Sequence, residues 1–318
     1  CMLDFANKHP ETLVLSADLG TSCEVKKFRA EKPDQYLTMG IAEQNMCSWA
    51  AGLAREGYRP FLHTFSVFLS RRILDQVEMS VAYPNLPVTF VGFVPGITTP
   101  GGVTHQSIND VGIMRTVPNM AIFDVGDATD IEGVLDLVYE WNGPAYIRML
   151  RKEVPRLFPA NEPMVFNRAR TITEGDDVLI LSSSICTEEA MRATAALEDK
   201  GVSVQHMHVS TLKPFTDPTI VEALKKCKYG VVTMENHYNI GGLGSAVADL
   251  MAENGIGKKL IKIGLNGYAH GASKMYLMTK YGIDAMNLVK SVEELIGKDL
   301  GIKEDDLDNQ RFVDFLEV

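Results

Sequence analysis

Short apolar runs separated by longer amphipathic stretches set the rhythm of this chain. Leu13-Val14-Leu15 leads into Ser16-Ala17-Asp18-Leu19-Gly20, and a second run over 36–39 is closed by Gly40. Phe61-Leu62-His63-Thr64 follows the turn Gly57-Tyr58-Arg59-Pro60, and Val88-Thr89-Phe90-Val91-Gly92 precedes a glycine- and proline-rich loop. Ala121-Ile122-Phe123 and Ala145-Tyr146-Ile147 complete the first half. Runs bounded by turn residues predict strands, and the segments between them predict helices beginning near Glu43 and over 66–81 and 129–140. Three prolines (155, 159 and 163) then interrupt the pattern. It resumes with strands over 177–181, 202–205, 231–234 and 260–263, and helices over 187–200, 244–252, 273–280 and 284–296. Alternation of this kind predicts an α/β protein of two doubly wound domains, each with a mostly parallel sheet. The expected boundaries are 1–155, a linker over 156–169, and 170–318.

With 318 residues, each half can bury its own core. A net charge of −10 disfavours a phosphate-tracking surface, so no nucleic-acid partner is expected. The acidic stretch Glu304-Asp305-Asp306-Leu307-Asp308 reads as a solvated end. No apolar run approaches the ~18 residues of a membrane helix, and no basic region followed by an apolar core opens the chain. The five cysteines are odd in number and form no C-x-x-C, which suggests buried thiols in a reducing cytoplasm.

Ligands of open parallel sheets collect beyond the carboxyl ends of the strands. Asp18, Glu43, Phe65, the 95–105 loop and Arg151 all follow predicted strands, so they are expected along one rim. Glu43 opens a helix that turns apolar at once, Met46-Cys47-Ser48-Trp49-Ala50-Ala51, and a carboxylate there needs a partner. Taken alone it is also accounted for by the helix dipole, Asp18 by a strand end or cap, and Phe65 with Phe68 by ordinary core packing. His206-x-His208 has no third ligand at a telling spacing and reads as packing. Gly241-Gly242-Leu243-Gly244 lacks a full dinucleotide fingerprint.

Several motifs in order resemble the pyrimidine-binding domain of transketolases. They are Ser16-Ala17-Asp18-Leu19, Met39-Gly40-Ile41-Ala42-Glu43-Gln44-Asn45-Met46, Thr64-Phe65-x-x-Phe68, Gly102-Val103-Thr104-His105-Gln106 and Met114-Arg115-x-x-Pro118-Asn119-Met120. Leu212-Lys213-Pro214-Phe215 and Glu235-Asn236-His237 followed by Gly241-Gly242-Leu243-Gly244 resemble the transketolase C-terminal domain. The family's Gly-Asp-Gly metal motif is absent; Gly126-Asp127-Ala128 and Gly175-Asp176-Asp177 lack the second glycine. The resemblance therefore implies the small subunit of a split transketolase. Its large subunit would carry the diphosphate-binding domain and hold Mg2+, in a heterotetramer of two large and two small chains.

The cofactor implied is thiamine diphosphate. The resemblance makes Glu43 the carboxylate that favours the imino tautomer of its aminopyrimidine, with Phe65 and Phe68 around that ring and Asp18 near the cofactor. His105 would act on the substrate's reacting end, while Arg151, and Ser22 beside it in role, would meet the distal anion of a sugar phosphate or other acidic sugar. Two positions depart from the family pattern. Gly101 stands where an acidic residue often precedes the glycine of the His105 loop, and Phe93 stands near a histidine that touches substrate phosphate. The first bears on which hydroxyl configuration of the sugar is selected; the second, a residue that cannot donate a hydrogen bond, points to an altered tail pocket, suited to an unusual acidic sugar such as a sulfonated one. Other readings are a deoxyxylulose-phosphate-synthase-like or 2-oxoacid dehydrogenase β-type subunit, and a non-catalytic scaffold.

Overall fold

The computed structural model describes residues 1–151 and 155–308. Seven strands form the first sheet: β1 (Thr12–Ser16), β2 (Tyr36–Thr38), β3 (Arg59–Phe65), β4 (Thr89–Phe93), β5 (Ala121–Asp124), β6 (Ala145–Met149) and, from the far half of the chain, Thr211–Lys213. The second sheet holds β7 (Arg170–Thr173), β8 (Val178–Ser182), β9 (Val204–His208), β11 (Gly230–Tyr238) and β12 (Leu260–Leu265), so Thr211–Lys213 is β10. The orders are β10-β5-β6-β4-β3-β1-β2 and β12-β11-β8-β9-β7. All pairings are parallel except two at the edges, β10 on β5 and β7 on β9. Both domains are thus α/β with mostly parallel sheets.

The unbroken apolar runs are explained by burial on both faces. Leu13, Leu15, Leu62, Phe90, Ile122 and Tyr146 enter one apolar cluster, while Val14, Phe61, Val91, Phe123 and Ile147 enter another on the opposite face. The first cluster continues into Leu179, Leu181 and Val231 of the second sheet, so the two halves share a core. β10 extends the first sheet across the same seam, which ties the C-terminal half to the N-terminal one by main-chain pairing. Arg148 of β6, fully buried, donates to Asp110 and Asp124 and to the main-chain oxygen of Asn236. Asn236 in turn donates to Pro95 O and accepts from Ile97 N.

One expected element is broken. Instead of a single helix over 66–81, the chain forms Ser66–Ser70, a bend, a short turn Leu74–Gln76 and a π-helix Val77–Ala82. The break falls at Arg71 and Arg72, whose guanidiniums are engaged elsewhere. Arg71 donates to the main-chain oxygens of Val103 and Gln106, and Arg72 to Glu43. Among the described residues no helix is long and apolar enough to cross a membrane. Cys23, Cys47, Cys186 and Cys227 are free and buried, and burial pushes the thiols of Cys23 and Cys47 up to about 12. The acidic stretch near the end is a short helix, Glu304–Asp308, whose Leu307 is buried.

Candidate active site

The candidate residues lie along the carboxyl rim of the first sheet. Gly40, in the left-handed region at φ 72°, reverses the chain after β2 and delivers Glu43 as the first residue of the helix Glu43–Arg55. The Glu43 side chain is 1% exposed, and its Oε2 accepts from Arg72 Nη1 at 2.7 Å. Arg72 is 43% exposed, and its guanidinium carbon stands 4.2 Å from the centre of the Phe68 ring. Phe65, the last residue of β3, lies 5.9 Å from Phe68 with rings 24° apart. His105 meets both rings edge-on at 6.0 Å. Glu43, Phe65, Phe68 and His105 are therefore one constellation, with Arg72 at its centre.

The loop that carries His105 is held tightly. Thr104 Oγ1 and His105 Nδ1 are 2.8 Å apart, and buried Gln106 donates to Thr99 O and to His270 O, both at 3.2 Å. A Cβ added at Gly101 would stand 2.8 Å from the Cβ of His105. The glycine in place of an acidic residue thus leaves room for the histidine to lie close against its own loop. Phe93 is buried, 5.8 Å from the ring of His63. Neither nitrogen of His63 makes a well-formed hydrogen bond, although the Cys23 backbone is near, and burial lowers its pKa to about 4.

Other candidates sit apart from this constellation. Asp18, exposed and left-handed at φ 59°, lines a small cleft of about 140 Å3 together with Ser22, Lys26 and Arg29. Arg151 lines a larger cavity of about 380 Å3 on the seam between the domains. Asp18 and Ser22 therefore share one pocket and Arg151 occupies another, although the sequence reading grouped Ser22 with Arg151. His206 bonds to Ser182 and Thr194, while His208 bonds to Thr187 and to Asp130 Oδ2 at 2.8 Å, so both rings are occupied in the core. The glycine-rich turn before Leu243–Glu253 has its amides taken: Glu235 accepts from Leu243 N and Gly244 N at 2.7 and 2.8 Å. A charged group from the chain itself already fills that anion position.

Arg72 was missed by the sequence reading, yet Phe68 and Arg72 are four apart, the spacing at which helical side chains meet. Lys274 and Glu188, which reach the seam cavity from the second domain, have no sequence signal at all.

The residues fit the aminopyrimidine end of a thiamine cofactor. A buried carboxylate with a planar cation stacked on the adjacent phenyl ring is what such a heterocycle would replace. Among the described residues no three His, Cys, Asp or Glu lie close enough to hold a metal.

The fold and this site define a transketolase-type α/β protein. Residues 1–156 match the model of the transketolase pyrimidine-binding domain and residues 167–287 that of the transketolase C-terminal domain, and the chain belongs to the transketolase family. It is 37% identical over 296 residues to the 6-deoxy-6-sulfo-D-fructose transketolase subunit SqwH of Clostridium sp. (strain MSTE9), covering 92% of this chain and 91% of that one. It is 35% identical to the putative transketolase C-terminal section of Methanocaldococcus jannaschii, covering 94% of each. A solved split-gene transketolase, described as an inactive β4 tetramer, superposes with a TM-score of 0.86 at 34% identity, covering 93% of this chain and 95% of that one.

Proposed function

We propose that this chain is the small subunit of a thiamine diphosphate-dependent transketolase that moves a two-carbon ketol unit from an acidic ketose to an aldose phosphate. The observation that carries the reading is the convergence of buried Glu43, Phe65, Phe68 and His105 on one stretch of rim, with Arg151 farther along it. When bound, thiamine diphosphate supplies the carbon nucleophile for ketose cleavage. Glu43, whose side chain is buried, would hold a proton toward a ring nitrogen of the aminopyrimidine. Phe65 and Phe68 supply apolar walls, and His105 donates to the oxygen that gains charge and to substrate hydroxyls. β3 and β6 are separated by β4 alone, with Phe65 level with Phe93 and Phe93 with Met149, so Phe65 and Met149 begin about 10 Å apart at the usual strand spacing and Arg151 follows two residues farther along.

Mg2+ and the diphosphate belong, in this reading, to a large subunit that completes the site in an α2β2 assembly in the cytoplasm. Asp18 and Ser22 lie beyond β1 and line one cleft, which in this reading the large subunit would complete. The test is reconstitution with the large subunit, with ketose phosphate, sulfo-ketose and pyruvate offered in turn. Neither chain alone should turn over, in keeping with the inactive tetramer described for the split-gene relative. Glu43→Gln should lower kcat at least ~100-fold in the assembled enzyme, and undiminished turnover would make the subunit a scaffold. Deoxyxylulose phosphate as product from pyruvate would instead favour the synthase reading, whose relatives include the 1-deoxy-D-xylulose-5-phosphate synthase of Chlorobium phaeovibrioides, 32% identical over 92% of this chain.

A further inference from the structure

We propose that Lys274 of the C-terminal domain joins Arg151 in gripping the acidic tail of the donor, and that Glu188 in the same cavity biases this grip toward a monoanion, a sulfonate over a phosphate. The inference rests on the ketol-transfer reading above and adds the second domain to the substrate site.

The seam cavity of about 380 Å3 is walled by Val94, Leu150, Leu157 and Ile185, with Thr98 to Pro100 on the side of the His105 loop. Three charged side chains line it: Arg151, Lys274 and Glu188. Among the described residues neither cation has a carboxylate within ion-pair distance, so neither is neutralised by a direct contact. Among the described residues the lining therefore carries a net charge of one positive unit. Val94 and Leu150 are buried, whereas Arg151 and Lys274 are exposed and Glu188 is half-buried, so solvent screens their field and the bias between anions is several-fold rather than absolute. A sulfonate carries one negative charge at working pH, whereas a phosphate monoester carries about −1.5 to −2. The lining matches the first. Glu188 repels the extra charge of the second.

Lys274 is also mechanically linked to the reacting end. The loop before it touches the His105 loop, where Gln106 donates to His270 O and a Cβ on Gly271 would stand 2.6 Å from Pro100 O. Tail binding at Lys274 and placement of His105 thus share one pair of packed loops.

The experiment uses the complex reconstituted with its large subunit and three donors: 6-deoxy-6-sulfo-fructose, fructose 6-phosphate and the neutral ketose erythrulose. Lys274→Ala should raise KM about tenfold for both acidic donors, leave kcat within about twofold, and leave erythrulose unaffected. Glu188→Gln should lower KM for the phosphate donor several-fold more than for the sulfonate donor. Equal effects on acidic and neutral donors, or none, would overturn the proposal. Titration of inorganic sulfate and phosphate into the small subunit alone gives an activity-independent arm. Anion binding lost in Lys274→Ala, but with no turnover of any donor by the wild-type complex, would defeat the ketol-transfer reading and keep the site. Turnover with anion binding indifferent to Lys274 would defeat the site alone.

Discussion

On the function proposed above, Arg72 stands where the cofactor ring would enter, and replacing it exposes what that costs. The guanidinium donates a charge-assisted hydrogen bond of 2.7 Å to a carboxylate that is 1% exposed, and it stacks on Phe68 at 4.2 Å. Such a bond contributes about 1.5–3 kcal/mol and the stack about 0.5–1 kcal/mol, but Arg72 is 43% exposed and solvent screens both. About 1–2 kcal/mol is left. Arg72→Ala should therefore destabilise the cofactor-free subunit by about 1–2 kcal/mol in urea unfolding. The same contact must be given up when the aminopyrimidine enters, so by thermodynamic linkage the variant should bind thiamine diphosphate about 5- to 30-fold more tightly. Calorimetric titration of the cofactor with Mg2+ into the reconstituted complex measures this directly. Arg72→Lys, which keeps charge but loses the planar stack, should fall between the two. Unchanged or weaker cofactor binding in Arg72→Ala would refute displacement and make Arg72 part of the bound site.

Two further outcomes follow from the loop geometry and from the burial of His63. Gly101→Asp restores the family's acidic residue but places a Cβ 2.8 Å from that of His105, so it should cost at least tenfold in kcat/KM for every donor by moving the histidine; activity at the wild-type level would show that the loop gives way freely. His63, held near pKa 4 by burial against an unfolded value near 6.5, contributes stability that is present above pH 6.5 and is lost as pH falls toward 4. At pH 5 its loss amounts to about 2 kcal/mol, so His63→Leu should lose less stability between pH 7 and 5 than the wild type, and an equal loss would sink the assignment.

The strands were legible because burial on both faces writes itself as unbroken apolar runs, as at Leu13-Val14-Leu15 and Val178-Leu179-Ile180-Leu181. The two antiparallel edge strands were not: β7, Arg170–Thr173, is a strand only against β9, and β10, three residues of mixed polarity, only against the edge of β5, about ninety residues earlier in the chain. The interrupted helix was hidden for a related reason. Apolar spacing continues through Leu69, Ile73 and Val77, and the backbone departs from it where Arg71 and Arg72 reach distant partners. The constellation of Glu43, Phe65, Phe68 and His105 could be read from motifs because each residue sits at a fixed offset from a strand end. Lys274 and Glu188 could not, because a seam between domains has no linear spacing to betray it.

The two ends of the rim differ in how far this chain completes them. At the Glu43 end the carboxylate already has a cation, and the aromatic wall already carries a planar group. Filling that end means exchanging one partner for another, and the exchange is favourable only if the incoming ring is anchored elsewhere. At the Arg151 end two cations stand without ion-pair partners among the described residues, so an anion entering there breaks no ion pair among them. If the proposed tail site is right, a donor tail should bind the isolated subunit, whereas the aminopyrimidine of free thiamine, which has no diphosphate to be held by a second chain, should compete poorly with Arg72. Titrating thiamine against thiamine diphosphate, with and without the large subunit, separates these contributions. Tight thiamine binding to the small subunit alone would mean that Arg72 yields without help and that the dependence on a partner arises somewhere other than the cofactor ring.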